Sequence, residues 1–119
     1  MFINCSNHAS QHWSEKQLSE AHKWGEILDY PFPNVNPYAD EEEIEELAKR
    51  IVDKLVSINP AAVMCQGEFT LAFHIISKLK KLEIPVLCAC SERKTMEYLD
   101  ENKNTKKITE FSFVKFREY

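Results

Sequence analysis

The stretch AAVMCQGEFTLAFHIISKLKK, residues 61–81, decides how the chain is read. It opens on a continuous apolar run, Ala61 to Gln66, of the length and character of a strand buried on both faces. Gly67 interrupts the run. From about Glu68 to Lys81 apolar residues then recur at helical spacing, with Phe69, Ala72, Phe73, Ile76 and Leu79 along the expected buried side. A second apolar run follows at Pro85–Ser91. Strand, amphipathic helix, strand is the pattern of a right-handed crossover between parallel strands.

The same alternation extends toward the N-terminus. Phe2 to Ser6 and Glu26 to Tyr30 read as two more short strands. Between them Ser14 and Gln17 form a capping box that starts a helix carrying Leu18, Ala21 and Trp24, and Gly25 stops it. Pro31, Pro33 and Pro37 make the next segment a stiff loop. Asp40 and Glu43 form another capping box, and Ile44, Leu47, Ala48, Ile51, Val52 and Leu55 follow at steps of three and four. The acidic start Asp40–Glu43 suits the positive end of that helix. Toward the C-terminus, Thr95–Leu99 alternates, Asp100–Asn104 is a polar turn, and Lys106–Tyr119 alternates again, the signature of a hairpin. Simple alternation puts Phe111, Phe113 and Tyr119 on one face and Val114 and Phe116 on the other. The expected fold is a single three-layer α/β domain over residues 1–119, with about four parallel strands and an antiparallel C-terminal hairpin.

Composition narrows the function. The chain of 119 residues is 44% hydrophobic, enough for one packed core. Its 15 Lys and Arg against 19 Asp and Glu give a net charge of −4, which argues against coating duplex nucleic acid but leaves room for a small nucleotide. Only two glycines are present, so neither a P-loop nor a dinucleotide fingerprint can be written. No apolar run is long enough to span a bilayer and the N-terminus lacks a basic flank, so a cytoplasmic protein without a membrane partner is expected. Cys5, Cys65, Cys88 and Cys90 lie in apolar runs. Cys88 and Cys90 are one residue apart, too close for the usual zinc spacing, so the thiols are read as small core groups, with no metal and no cofactor.

In a parallel sheet, ligands bind beyond the carboxyl ends of the strands. Four segments reach that rim: Ser6–Ser10, Pro31–Asn34, Gln66–Thr70, and Ser91-Glu92-Arg93-Lys94, the last read as a polar, basic turn. His8 is the candidate for proton transfer, since an imidazole titrates near neutrality. Ser6, Asn7 and Ser10 either contact a phosphate or cap the loop. Gly67 either admits a ligand to the backbone or only makes a tight turn. Glu68 either complements the helix dipole or acts as base, nucleophile or sugar-hydroxyl acceptor. Arg93 and Lys94 would neutralise phosphate, and Gln66 and Ser91 complete the polar rim. His12, His22 and His74 are weaker candidates, and Trp13 is a packing residue that could stack on a base.

The Ser6–Ser10 turn after the first strand, Gln66-Gly67-Glu68 after a middle strand, the Ser91–Lys94 segment and the C-terminal hairpin together resemble the small Rossmann-like proteins of type III CRISPR systems, the CARF-type sensors and compact ring nucleases. That resemblance implies a Rossmann-like sheet, a homodimer, and a cyclic or linear oligonucleotide as ligand, cyclic oligoadenylate above all. It also implies cleavage without metal, the ribose 2′-hydroxyl serving as nucleophile, with His8 aiding proton transfer, Arg93 or Lys94 stabilising the phosphate and Gly67 admitting the ligand. Three other functions stay open on the residues alone: a sensor or sequestering module that never cleaves, a nucleoside N-glycosidic hydrolase or transferase using Glu68, and a ligand-free interaction domain whose C-terminal hairpin carries the partner contact.

Overall fold

The computed structural model describes residues 1–119. The chain runs β1 (Phe2–Cys5), a short 3-10 turn (Ser10–His12), α1 (Glu15–His22), β2 (Ile27–Asp29), α2 (Glu41–Ser57), β3 (Ala62–Cys65), α3 (Phe69–Lys81), β4 (Val86–Leu99) and β5 (Thr105–Glu118). The five strands form one mixed sheet in the order β2-β1-β3-β4-β5. β1 runs parallel to β2 and to β3, β3 runs parallel to β4, and β5 returns antiparallel to β4.

Strand alternation divides the core between the two faces of the sheet. Ile3, Cys5, Val63, Cys65 and Val86 face α2 and α3, whose Ile44, Ala48, Ile51, Val52, Leu55, Leu71, Ile75 and Leu79 complete the larger apolar cluster. Phe2, Ala62, Met64 and Leu87 face the other way, against Trp13 and Ala21. The first two α-helices start at the expected caps, with the N-cap half of each capping box made. The Ser14 hydroxyl accepts from the Gln17 amide, and the Asp40 carboxylate accepts from the Glu43 amide. Gly25, after α1, has a φ of 129°, in the region that side chains avoid.

Three expectations need correction. First, the buried side of α3 is Leu71, Ala72, Ile75 and Leu79, while Phe69 and Phe73 are 90% and 65% exposed. The helix is apolar on more than one side, so spacing alone did not choose the face. Second, Ser91–Lys94 is no turn: it lies inside β4, which continues unbroken from the parallel sheet into the hairpin. Only Val86 and Leu87 of β4 pair with β3, and the next twelve residues pair with β5 alone. Third, the β4–β5 register shifts between Cys90 and Ser91, with Val114 as the extra residue on β5. A bulge reverses the alternation beyond it. Phe116 therefore shares a face with Phe111 and Phe113, with the Phe113 and Phe116 rings 4.9 Å apart. Tyr119 falls on the opposite face, where its hydroxyl donates to the Cys65 carbonyl at 2.7 Å. No helix is long and apolar enough to cross a membrane.

Candidate functional site

The order β2-β1-β3 places the next crossover on the other side of the sheet from the first. A crevice opens where two such connections diverge, beyond the carboxyl ends of β1 and β3. The Ser6–Ser10 loop lies there, and a residue inside β1 holds its shape. Asn4 is 1% exposed and points to the α1 face. Its Nδ2 donates to the His8 carbonyl at 2.9 Å and to Asp29 Oδ1 at 2.8 Å, and its Oδ1 accepts from the Ser6 hydroxyl at 2.6 Å. The Ser6 hydroxyl in turn accepts from the His8 amide at 3.2 Å. The indole of Trp13 donates to the same His8 carbonyl at 3.0 Å. Asp29, at the end of β2, takes the Ser10 hydroxyl at 3.0 Å and the Ser10 amide. Every buried polar side-chain atom finds a partner. The loop is therefore preorganised from below, and the hydroxyls of Ser6 and Ser10 are consumed in building it.

Beside this loop lies a cleft of about 790 Å³. Ser6, Asn7, His8 and His12 line it from the loop side, and Trp13, Ser14 and Gln17 from the start of α1. Met64, Gln66 and Gly67 line it from the end of β3. Its remaining wall belongs to the hairpin: Ala89 and Ser91 on β4, Phe111 and Phe113 on β5. Gln66 extends the sheet past the end of β3, where its Oε1 accepts from the Ala89 amide at 2.8 Å. The His8 and His12 rings stack with centroids 6.5 Å apart. The only lining side chains able to carry positive charge are these two imidazoles.

The structure thus gathers Ser6, Asn7, His8, Gln66, Gly67 and Ser91 around one cleft. It places Ser10, Glu68, Arg93 and Lys94 outside the lining. The Glu68 carboxylate caps its own helix, accepting from the amides of Leu71 at 2.9 Å and Thr70 at 3.0 Å and from the Thr70 hydroxyl. These donors hold it below the usual glutamate range, the Leu71 amide foremost. Arg93 and Lys94 stand exposed on β4, and Lys94 lies 3.8 Å from Glu92. Gly67 has a different use from the one its position implied. A Cβ there would press into the ring of buried Phe32, so the missing side chain makes room for the protein's own core. The sequence reading does not single out Asn4 or Asp29, and it gives Gln17 and Phe111 only as a helix cap and a strand residue. A lone Asn in an otherwise apolar strand was the available signal for the first.

Fold and cleft define an α/β protein with an open, largely neutral crevice at its parallel strand ends, walled by an antiparallel ribbon. The chain belongs to the family described as the uncharacterized protein MJ1673 family, whose model matches residues 1–117. No curated protein and no solved structure matches it.

Proposed function

We propose that the cleft binds a nucleotide, and that the ligand is a cyclic or linear oligoadenylate. The observation that carries this reading is an aromatic hairpin wall, exposed Phe111 beside buried Phe113, that shares one cleft with the Ser91 hydroxyl on the same wall and the Asn7 and Gln66 amides on the others. Aromatic faces stack on bases and amides read their edges, whereas an apolar ligand would leave the polar surfaces unpaired. On this reading the sheet, with an apolar cluster on each face, is Rossmann-like. The four free thiols suit a reducing, cytoplasmic setting.

Cleavage follows the chemistry available. The ribose 2′-hydroxyl attacks the adjacent phosphorus as its proton passes to a base. The P–O5′ bond breaks, and the 5′-oxygen leaves with a proton, giving a 2′,3′-cyclic phosphate. His8, at the cleft lining, is the group that moves the proton. No Arg or Lys side chain lines the cleft, and this observation favours a second reading in which the ligand is held but not cut.

Calorimetry with cyclic tetra-adenylate, followed by chromatography of the mixture in EDTA, separates the two. Binding with linear products supports the ring nuclease, and binding with unchanged ligand supports the sensor. Absence of binding to cyclic and linear oligoadenylates of every length tested sinks both.

A further inference from the structure

Beyond Ala89, both outer edges of the β4–β5 ribbon lack a neighbour within the chain, since β4 has left β3 and β5 ends the sheet. A two-stranded ribbon with open edges is marginal alone and invites another strand. Among the charged residues of its outer part, apolar side chains also stand exposed. Met96 and Ile108 face each other across the ribbon while 57% and 41% exposed. Tyr98, on the same face, stands opposite Lys106.

The turn fixes which main-chain groups of β5 point outward. The Asp100 amide donates to the Asn104 carbonyl at 3.0 Å, which marks that pair as hydrogen-bonded. Antiparallel ladders alternate, so Ile108 aims its amide and carbonyl at Met96, while Lys107, Thr109 and Phe111 aim theirs away from β4.

We propose that this edge pairs antiparallel with β5 of a second copy of the chain, about a two-fold axis at Ile108. Charge selects that register. With Ile108 on the axis, Ile108 meets its own copy, and Lys106 of each chain stands opposite Glu110 of the other on the same face. An axis at Lys107 or Glu110 sets like charges against each other, and one at Thr109 sets Ile108 against Glu110. Within each ribbon Lys94 already faces Glu110, so the flanking row alternates in sign across the join. The centre becomes an apolar strip of Met96 and Ile108 from both copies. Lys107 and Thr109 of opposite copies exchange main-chain hydrogen bonds. The pairing closes the edge isologously, leaving no further site on it for a third chain. It stands whatever the cleft binds.

Sedimentation of the full chain tests the proposal. The wild type sediments as a dimer at micromolar concentration. Lys106→Glu and Glu110→Lys each sediment as monomers, because each sets like charges opposite one another twice. Mixed in equal amounts they form a heterodimer, in which the introduced carboxylate meets the introduced ammonium and native Lys106 meets native Glu110. Thr109→Pro removes an outward amide without touching the ladder to β4, and it too gives a monomer with an unchanged circular dichroism spectrum. A monomeric wild type, or a dimer that survives all three substitutions, overturns the proposal. Single variants that stay monomeric on mixing overturn the axis at Ile108.

Discussion

The ring of Phe32 occupies the space that a side chain on Gly67 would need: a Cβ built there comes within 2.5 Å of Phe32 Cε1. Phe32 is buried, lies in the proline-stiffened loop after β2, and joins the cluster under α2 and α3. One glycine thus lets that loop close over the end of β3. Gly67→Ala should lower stability by about 1–3 kcal/mol, the usual cost of overpacking a filled site, as read by urea denaturation. Pairing it with Phe32→Leu should recover part of the loss. Full stability in Gly67→Ala alone would show that the ring moves aside freely.

That contact also shows where sequence reading stops. Alternating apolar strands and amphipathic helices fixed the element order, because burial leaves a period that a single chain displays. The purpose of Gly67 was hidden, because its partner lies 35 residues away in a loop of no period. The Val114 bulge was hidden for a similar reason: one extra residue reverses a face, and no residue type announces it. At the rim, the Ser6–Ser10 loop and Gln66 were legible from polar residues following apolar runs. Arg93 and Lys94 were misplaced because a strand leaving its sheet was taken for a strand ending.

Asn4 supports the His8 loop from beneath. Asn4→Ala removes one of two donors to the His8 carbonyl, one donor to Asp29 and the acceptor of the buried Ser6 hydroxyl, leaving the Trp13 indole and Ser10 to hold the loop. A loss of about 1–3 kcal/mol is expected for these lost partners, with weaker ligand binding even where the variant remains folded. Thermal unfolding and calorimetry read the two effects separately, and a variant as stable as wild type would show that water replaces the amide.

Glu68 makes stability depend on acid. Its folded-state pKa lies below the ordinary 4.5, because the Leu71 and Thr70 amides and the Thr70 hydroxyl stabilise the carboxylate. The contribution is therefore complete above the unfolded value and lost as pH falls through the lower folded one. Glu68→Gln should flatten the stability profile below about pH 5 and leave nucleotide binding at neutral pH unchanged. Loss of binding at pH 7 in a folded variant would return Glu68 to the site.

Tyr119 acts at the other end of the scale. Burial first, and then the nearby Cys88, Cys65 and Cys90 thiols, push its phenol up to about 12. A raised phenol contributes stability below the unfolded value near 10, and that contribution is lost as pH rises toward 12. Tyr119→Phe also removes the hydrogen bond to the Cys65 carbonyl. It should cost about 0.5–1.5 kcal/mol at neutral pH and weaken the late step in an alkaline tyrosine titration. An unchanged titration would place the slow phenol elsewhere.

Phe111 is 72% exposed at the cleft wall, so its ring contributes little to the core. Phe111→Ala should leave the melting temperature almost unchanged and cost about 1–3 kcal/mol of nucleotide affinity, the usual worth of a stacked base. In the same assay His8→Ala should slow any cleavage by about a hundredfold or more while retaining binding. Unaltered affinity in Phe111→Ala would remove stacking from the reading.

β1 is an interior strand, held between β2 and β3, and both of its partners come later in the chain. Phe2 pairs with Ile27 on one side and with Ala62 on the other. Closing the second pairing confines a loop of about sixty residues before any ladder energy is returned, a cost that grows slowly with loop length but cannot be avoided. During synthesis β1 therefore waits, apolar and half-paired, until β3 has emerged. Folding should be governed by that long-range closure rather than by the helices, so substitutions in the β1–β3 ladder should slow folding, while those in α1 should mainly speed unfolding.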